Sequence, residues 1–244
     1  MLQFRGTRLS DDQLKAFSRN FGLLDKRPMG KADQNLRLGN HYVTVISNVI
    51  ANGRPIGGLG NRDAQWHADM SYNPSPAVAS ILHAWLIPAE GDNTYFCNMY
   101  AALEGLSAAL RERIEGSRLK YDAGGGHTSV SSLRVGFEEA VNAKEAPGAV
   151  HPIIRNHPVT GRQCLYLGRR QDALVIGMAL DDSKALLNEL RTAAVRPEHC
   201  WRQIWLPHDT VMLNNRCTLH RRDGFPNNQN GIMHRTQIGG DMVN

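Results

Sequence analysis

Two short stretches carry residue types that together can hold a redox metal: Trp66-His67-Ala68-Asp69 in the first third of the chain and Asn215-Arg216-Cys217-Thr218-Leu219-His220 near its end. They supply two imidazoles and one carboxylate. This is the donor set of the 2-His-1-carboxylate facial triad, which grips non-haem Fe(II) on one side and leaves coordination positions open. If the three side chains converge, the chemistry is activation of dioxygen. The His-x-Asp spacing alone is weak, because the ten histidines of the chain make about half a chance occurrence expected. The competing reading of His67 is a hydrogen-bonded surface or core histidine, so the flanking residues and the distant third donor must decide.

The elements that have to position these groups are legible from periodicity. Residues 65–72 read as a strand, on which i and i+2 share a face, so His67 and Asp69 are expected to project together. Further strands are expected at 2–5, 41–46, Ala79–Leu86, 95–97, 210–213 and Ile232–Ile238, and a hairpin at 152–156 and 163–167 around Pro158-Val159-Thr160-Gly161. Ser10 with Gln13 makes a capping box for an amphipathic helix carrying Leu14 and Phe17 and ending at Gly22. One helix is predicted over 99–114, and another, capped by Asp182 or Ser183, carries Leu186, Leu187 and Leu190. The glycine-rich stretch 50–63 reads as a loop, and Trp201 and Trp205 as core residues of a strand. Residues 121–150, with Gly124-Gly125-Gly126, read either as an active-site lid or as a surface loop. Many short strands with helices outside point to a β-sandwich or jelly roll with appended helices.

At 244 residues the chain can bury a sizeable core as one domain, 1–244. The formal charge of +5 comes from dispersed basic residues, which favours small anionic partners over nucleic acid. The four cysteines, Cys97, Cys164, Cys200 and Cys217, form no CxxC pair, as expected in a reducing compartment, and no apolar run is long enough for a bilayer span. A cytoplasmic, non-membrane protein is the expectation.

Beyond these patterns, runs throughout the chain resemble one family. They are Ile46-Ser47-Asn48-Val49, Gly53-Arg54-Pro55-Ile56-Gly57, Trp66-His67-Ala68-Asp69-Met70-Ser71-Tyr72, His157-Pro158-Val159-Thr160-Gly161-Arg162, Leu165-Tyr166-Leu167-Gly168-Arg169-Arg170, Asn215 to Asp223, and Met233-His234-Arg235-Thr236-Gln237-Ile238. The chain thereby resembles the taurine dioxygenase and 2,4-dichlorophenoxyacetate dioxygenase family of Fe(II)/2-oxoglutarate oxygenases. The resemblance implies an α+β fold, a double-stranded β-helix (jelly roll) core with flanking helices, clavaminate synthase-like. It implies Fe(2+) held by His67, Asp69 and His220, 2-oxoglutarate as cosubstrate, and hydroxylation of a small, anionic substrate (carboxylate or sulfonate) by dioxygen.

The same resemblance locates the cosubstrate's far carboxylate, which needs a cation and a hydroxyl partner. Thr94 matches the family's threonine. The family's arginine, eleven residues beyond the distal histidine, is Gly231 here, and Arg235 stands four residues further on, where relatives commonly use it for an anionic substrate group or the neighbouring pocket. Thr94 and Arg235 are therefore the expected cosubstrate residues. Gly231 keeps two alternatives open: an iron oxygenase that does not use 2-oxoglutarate, and an inactive metal-binding sensor of small acids. Relatives generally carry residues before the segment resembling Leu2-Gln3-Phe4-Arg5-Gly6, so a short N-terminus and a homo-oligomer are expected.

Overall fold

The computed structural model describes residues 1–26, 41–121, 149–169 and 173–240. The first half contains β1 (Leu2–Phe4), β2 (Thr44–Ser47), β3 (Ile50–Ala51), β4 (Arg54–Pro55), β5 (Gly58–Leu59), β6 (Ala64–His67), β7 (Ala79–Leu86), β8 (Thr94–Asn98) and β9 (Arg118–Tyr121). The second contains β10 (Val150–Pro152), β11 (Ile154–Asn156), β12 (Gln163–Leu165), β13 (Ala173–Val175), β14 (Cys200–Gln203), β15 (Thr210–Asn214), β16 (Thr218–Arg222) and β17 (Ile232–Ile238). Helices are α1 (Asp11–Arg19), α2 (Met99–Glu104), α3 (Ala108–Ile114) and α4 (Leu180–Ala194). The lid or loop expected at 121–150 lies almost wholly outside the described residues.

Two sheets build the frame of the site. One runs β1-β15-β7-β17-β2-β5 and the other β14-β8-β16-β6, with β6 at its edge. Ile46, Leu82, Ala84, Val211, Leu213 and Met233 of the first meet Phe96 of the second, with Trp205, in one buried cluster, so the sheets face each other. Alternation then sorts every strand. On β7, Ser80, Leu82 and Ala84 look into the space between the sheets, while Ile81 packs with Leu14 and Ile238 under α1. The other face of the second sheet is covered by helices, since Cys97 and Leu219 pack with Leu186, Leu187, Leu190 and Ala194 of α4.

α1 forms as its cap predicts. Ser10 Oγ accepts from Gln13 N at 3.3 Å, Gln13 Oε1 accepts from Ser10 N at 2.8 Å, and Asp11 and Asp12 sit at the positive end of the helix dipole. Burying Leu14 completely contributes about 2 kcal/mol. Four expectations need correction. The strand at 65–72 stops at His67, and 68–72 are turn or irregular; the helix at 99–114 is two, broken at Gly105. α4 starts at Leu180 without a side-chain cap, because Ser183 is buried and its Oγ accepts from Val175 N at 2.8 Å. Trp205 is core but lies beyond β14, whereas Trp201 is 39% exposed and stacks on Phe96.

His83 on β7 is fully buried, shares a 2.8 Å hydrogen bond with Thr210 Oγ1, and leaves Nε2 without a partner. Burial, reinforced by His208 and His234, pushes its pKa down to about 4 against weaker opposing effects of Asp11 and Asp209. The unfolded chain protonates near 6.5, so this group's contribution is complete above that pH and is lost as pH falls towards 4. The loss amounts to no more than about 3 kcal/mol. Thermal midpoints measured from pH 7 to 4 are expected to fall less steeply for His83→Gln than for the parent; parallel curves would refute this source of acid sensitivity.

Candidate metal centre

The site is built where the edge strand β6 meets β16. His220 pairs directly with His67, and the two imidazoles lie 4.2 Å apart between ring centroids. Asp69 arrives from the turn after β6, not from the strand itself, and that turn has its own supports. Met70 takes a left-handed φ of +56° and Asn73 N bonds Met70 O at 2.9 Å. From β10, His151 Nε2 lies 3.0 Å from both Ser71 O and Asn73 O. Gly168 passes so close that a Cβ there would stand 2.4 Å from Ser71 Oγ and 2.3 Å from the Tyr121 ring, so only glycine fits. Arg191 of α4 donates to Trp66 O at 2.8 Å and to Gly168 O at 2.5 Å, tying the back of β6 to the same turn.

The donors converge. His67 Nε2 stands 3.6 Å from Asp69 Oδ1 and His220 Nε2 3.9 Å from the same oxygen, and one donor atom from each of the three residues lies within 4.8 Å of the others. Octahedral ligands about 2.1 Å from a cation lie about 3 Å apart, so the three donors would draw closer together to hold an ion. His67 Nδ1 is 2.7 Å from Gln65 O, a bond that places the proton there and leaves Nε2 as the free donor. Burial, with His67 and Arg235 adding to it, pushes the His220 pKa down to about 3, so the imidazole is neutral, as a ligand must be. Burial alone would raise the Asp69 pKa, but Arg235, His220 and His67 together hold it well below the usual carboxylate range.

Asp69 is the most heavily bonded member. Its Oδ2 accepts from Ser80 Oγ at 2.6 Å, Ser80 Oγ in turn accepts from Asn215 Nδ2 at 2.9 Å, and Oδ1 accepts from Arg235 Nη1 at 3.0 Å. Asn215 thus acts at the metal end through Ser80. The sequence reading passed over Ser80, although a serine inside the apolar run of β7 is a signal, since a buried hydroxyl needs a partner. Arg235 is brought to the three donors. Thr94 is not: its Oγ1 accepts from Trp205 Nε1 at 2.9 Å, and its cross-strand neighbour on β16 is Arg222. Asp223 pairs with Arg221 at 2.6 Å, and Arg221 stacks on Tyr95 at 3.8 Å, away from the donors. His234 lies with Nδ1 2.5 Å from Asp11 Oδ1.

The family described as "Taurine catabolism dioxygenase TauD, TfdA family" matches residues 1–237. The chain belongs to this family. Among its relatives is the alpha-ketoglutarate-dependent 2,4-dichlorophenoxyacetate dioxygenase of Cupriavidus pinatubonensis, 32% identical over 91% of this chain and 78% of that protein. The (S)-phenoxypropionate/alpha-ketoglutarate-dioxygenase of Sphingobium herbicidovorans is 30% identical over 99% of this chain and 82% of its own length. A crystal structure of AAD-2 in complex with Mn(II) and N-oxalylglycine superposes with a TM-score of 0.74 at 27% identity, covering 99% of this chain and 83% of that one. No helix among the described residues is long and apolar enough to cross a membrane.

Replacing Ser80 by Ala removes a donor from a buried carboxylate oxygen, a loss of about 1–3 kcal/mol. The expected result is a 10- to 100-fold weaker affinity for Mn(II) (an order-of-magnitude estimate), read by titration against the electron paramagnetic resonance signal of free Mn(II). Equal affinities in parent and variant would remove Ser80 from the account.

Proposed function

We propose that this dioxygenase holds Fe(II) with His67, Asp69 and His220 and, using 2-oxoglutarate, hydroxylates a small anionic organic molecule. The observation that carries the reading is the convergence of two imidazoles on one ionised carboxylate oxygen, in a chain of this family. When bound, Fe(II) supplies the redox chemistry that couples oxidative decarboxylation of the 2-oxo acid by dioxygen to substrate hydroxylation. The protein's share is placement. Asp69 stays charged because Arg235 and the Ser80 hydroxyl pair with it, His67 presents Nε2 because Gln65 O holds the other nitrogen, and position beside the centre selects the C–H bond.

Of the two residues expected to meet the cosubstrate, Arg235 stands at the level of the metal donors, and we assign its cation to an anionic group near the metal. The relatives named for phenoxyacetate and phenoxypropionate support a carboxylate substrate. The two facing sheets, with helices on the outer faces, support the double-stranded β-helix or jelly-roll reading of the fold.

Anaerobic addition of Fe(II) and then 2-oxoglutarate is expected to produce a visible charge-transfer band, and admission of air to produce succinate. His67→Ala is expected to weaken Fe(II) binding by about 100-fold or more. Iron uptake without band or succinate would favour the sensor or the other-cosubstrate alternative, and undiminished iron affinity in the variant would contradict the ligand assignment.

A further inference from the structure

The space between the sheets receives a second buried arginine. Arg222 lies two residues beyond His220 on β16 and so shares its face, and the register sets it directly opposite Thr94 on β8. Its side chain is 12% exposed. Thr94 is buried; its oxygen accepts from the Trp205 indole, which leaves the hydroxyl proton to be donated elsewhere. An arginine and a threonine are therefore direct cross-strand neighbours, two residues along β16 from His220. This is the pairing that the far carboxylate of a 2-oxo diacid needs.

Just before β17 of the facing sheet, the position that the resemblance matches to the family's arginine is crowded. A Cβ at Gly231 would stand 2.9 Å from Phe225 Cζ, so the Phe225 ring fills the place a side chain would take. The same ring lies 5.8 Å beneath the Arg222 guanidinium. Arg222 is held by two backbone carbonyls, Nη2 donating to Gly60 O at 2.9 Å and to Arg62 O at 2.6 Å. Its Nε is buried without a hydrogen-bond partner and lies 3.5 Å from Asp92 Oδ1, an oxygen equally without one. Burial pushes the Asp92 pKa up to about 6 against the pull of Arg222.

We infer that Arg222, with Thr94, anchors the far carboxylate of the 2-oxo acid cosubstrate in place of the arginine that Gly231 omits. The cation then stands on β16 and not at the residue before β17, where the Phe225 ring lies. The inference rests on the cosubstrate reading above, and the test separates the two. Mn(II)-loaded protein is titrated by calorimetry with 2-oxoglutarate and with 2-oxobutyrate, which keeps the metal-binding head and lacks the second carboxylate. The parent is expected to prefer 2-oxoglutarate. Arg222→Met should weaken 2-oxoglutarate by about 100-fold and leave 2-oxobutyrate and Mn(II) affinities unchanged, with Thr94→Val moving the same ratio by a smaller factor. Should Arg222→Met fail to fold, Arg222→Lys, which keeps the charge and loses the planar fork, should lower the ratio while Mn(II) affinity holds. An unchanged ratio in the Arg222 variant, or a ratio that collapses in Arg235→Met instead, overturns the assignment. A parent that binds Mn(II) but neither acid overturns the cosubstrate reading itself, and this inference with it.

Discussion

The Asp69 carboxylate is where the separate parts of this fold are tied together. A buried anion is costly unless compensated, and here compensation comes from β7 through Ser80, from the segment before β16 through Asn215, and from β17 through Arg235. Because these contributors are distant in sequence, the carboxylate reaches its partners only when the strands are in register. Folding and site assembly are thus one event. The low pKa of Asp69 and the depressed pKa of His220 follow from the same enclosure, which favours the ionised acid through its cations and the neutral imidazole through burial.

Alternation along the strands explains the sorting of function. On β16, Thr218, His220 and Arg222 share the face that looks between the sheets, while Leu219 packs under α4 and Arg221 stacks on Tyr95 outside. On β17, Met233 and Arg235 look inward and Thr236 and Ile238 look towards α1, where Ser18 Oγ meets Thr236 Oγ1 at 2.6 Å. A one-residue slip would bring Leu219 or Arg221 to the place of His220 on β16, and His234 or Thr236 to the place of Arg235 on β17.

Much of this was legible in the chain, for identifiable reasons. Ala79–Leu86 and Ile232–Ile238 run as expected because apolar and β-branched runs bounded by turn residues have few other solutions. The cap of α1 is a local hydrogen-bond pair and needs nothing distant. The three donors were identifiable by type and by family resemblance, but the geometry offered for two of them was mistaken: Asp69 leaves the strand, and its place beside His67 depends on His151, Gly168 and Arg191, contacts that span up to 125 residues. Ser80 and Arg222 were missed for a related reason. Neither has a meaning by itself; each acquires one from the residue that pairing places opposite.

β6 is the outermost strand of its sheet, joined to the rest along one side only, and it carries His67 while its inner neighbour carries His220. A divalent ion held by these two imidazoles would act as a rivet across the last seam of the sheet, adding coordinate bonds at its outer strand. Loading and seam closure would then be coupled: the more tightly the ion is held, the less often that margin would fray, and a chain stripped of its ion should open there first while the six-stranded layer stays shut.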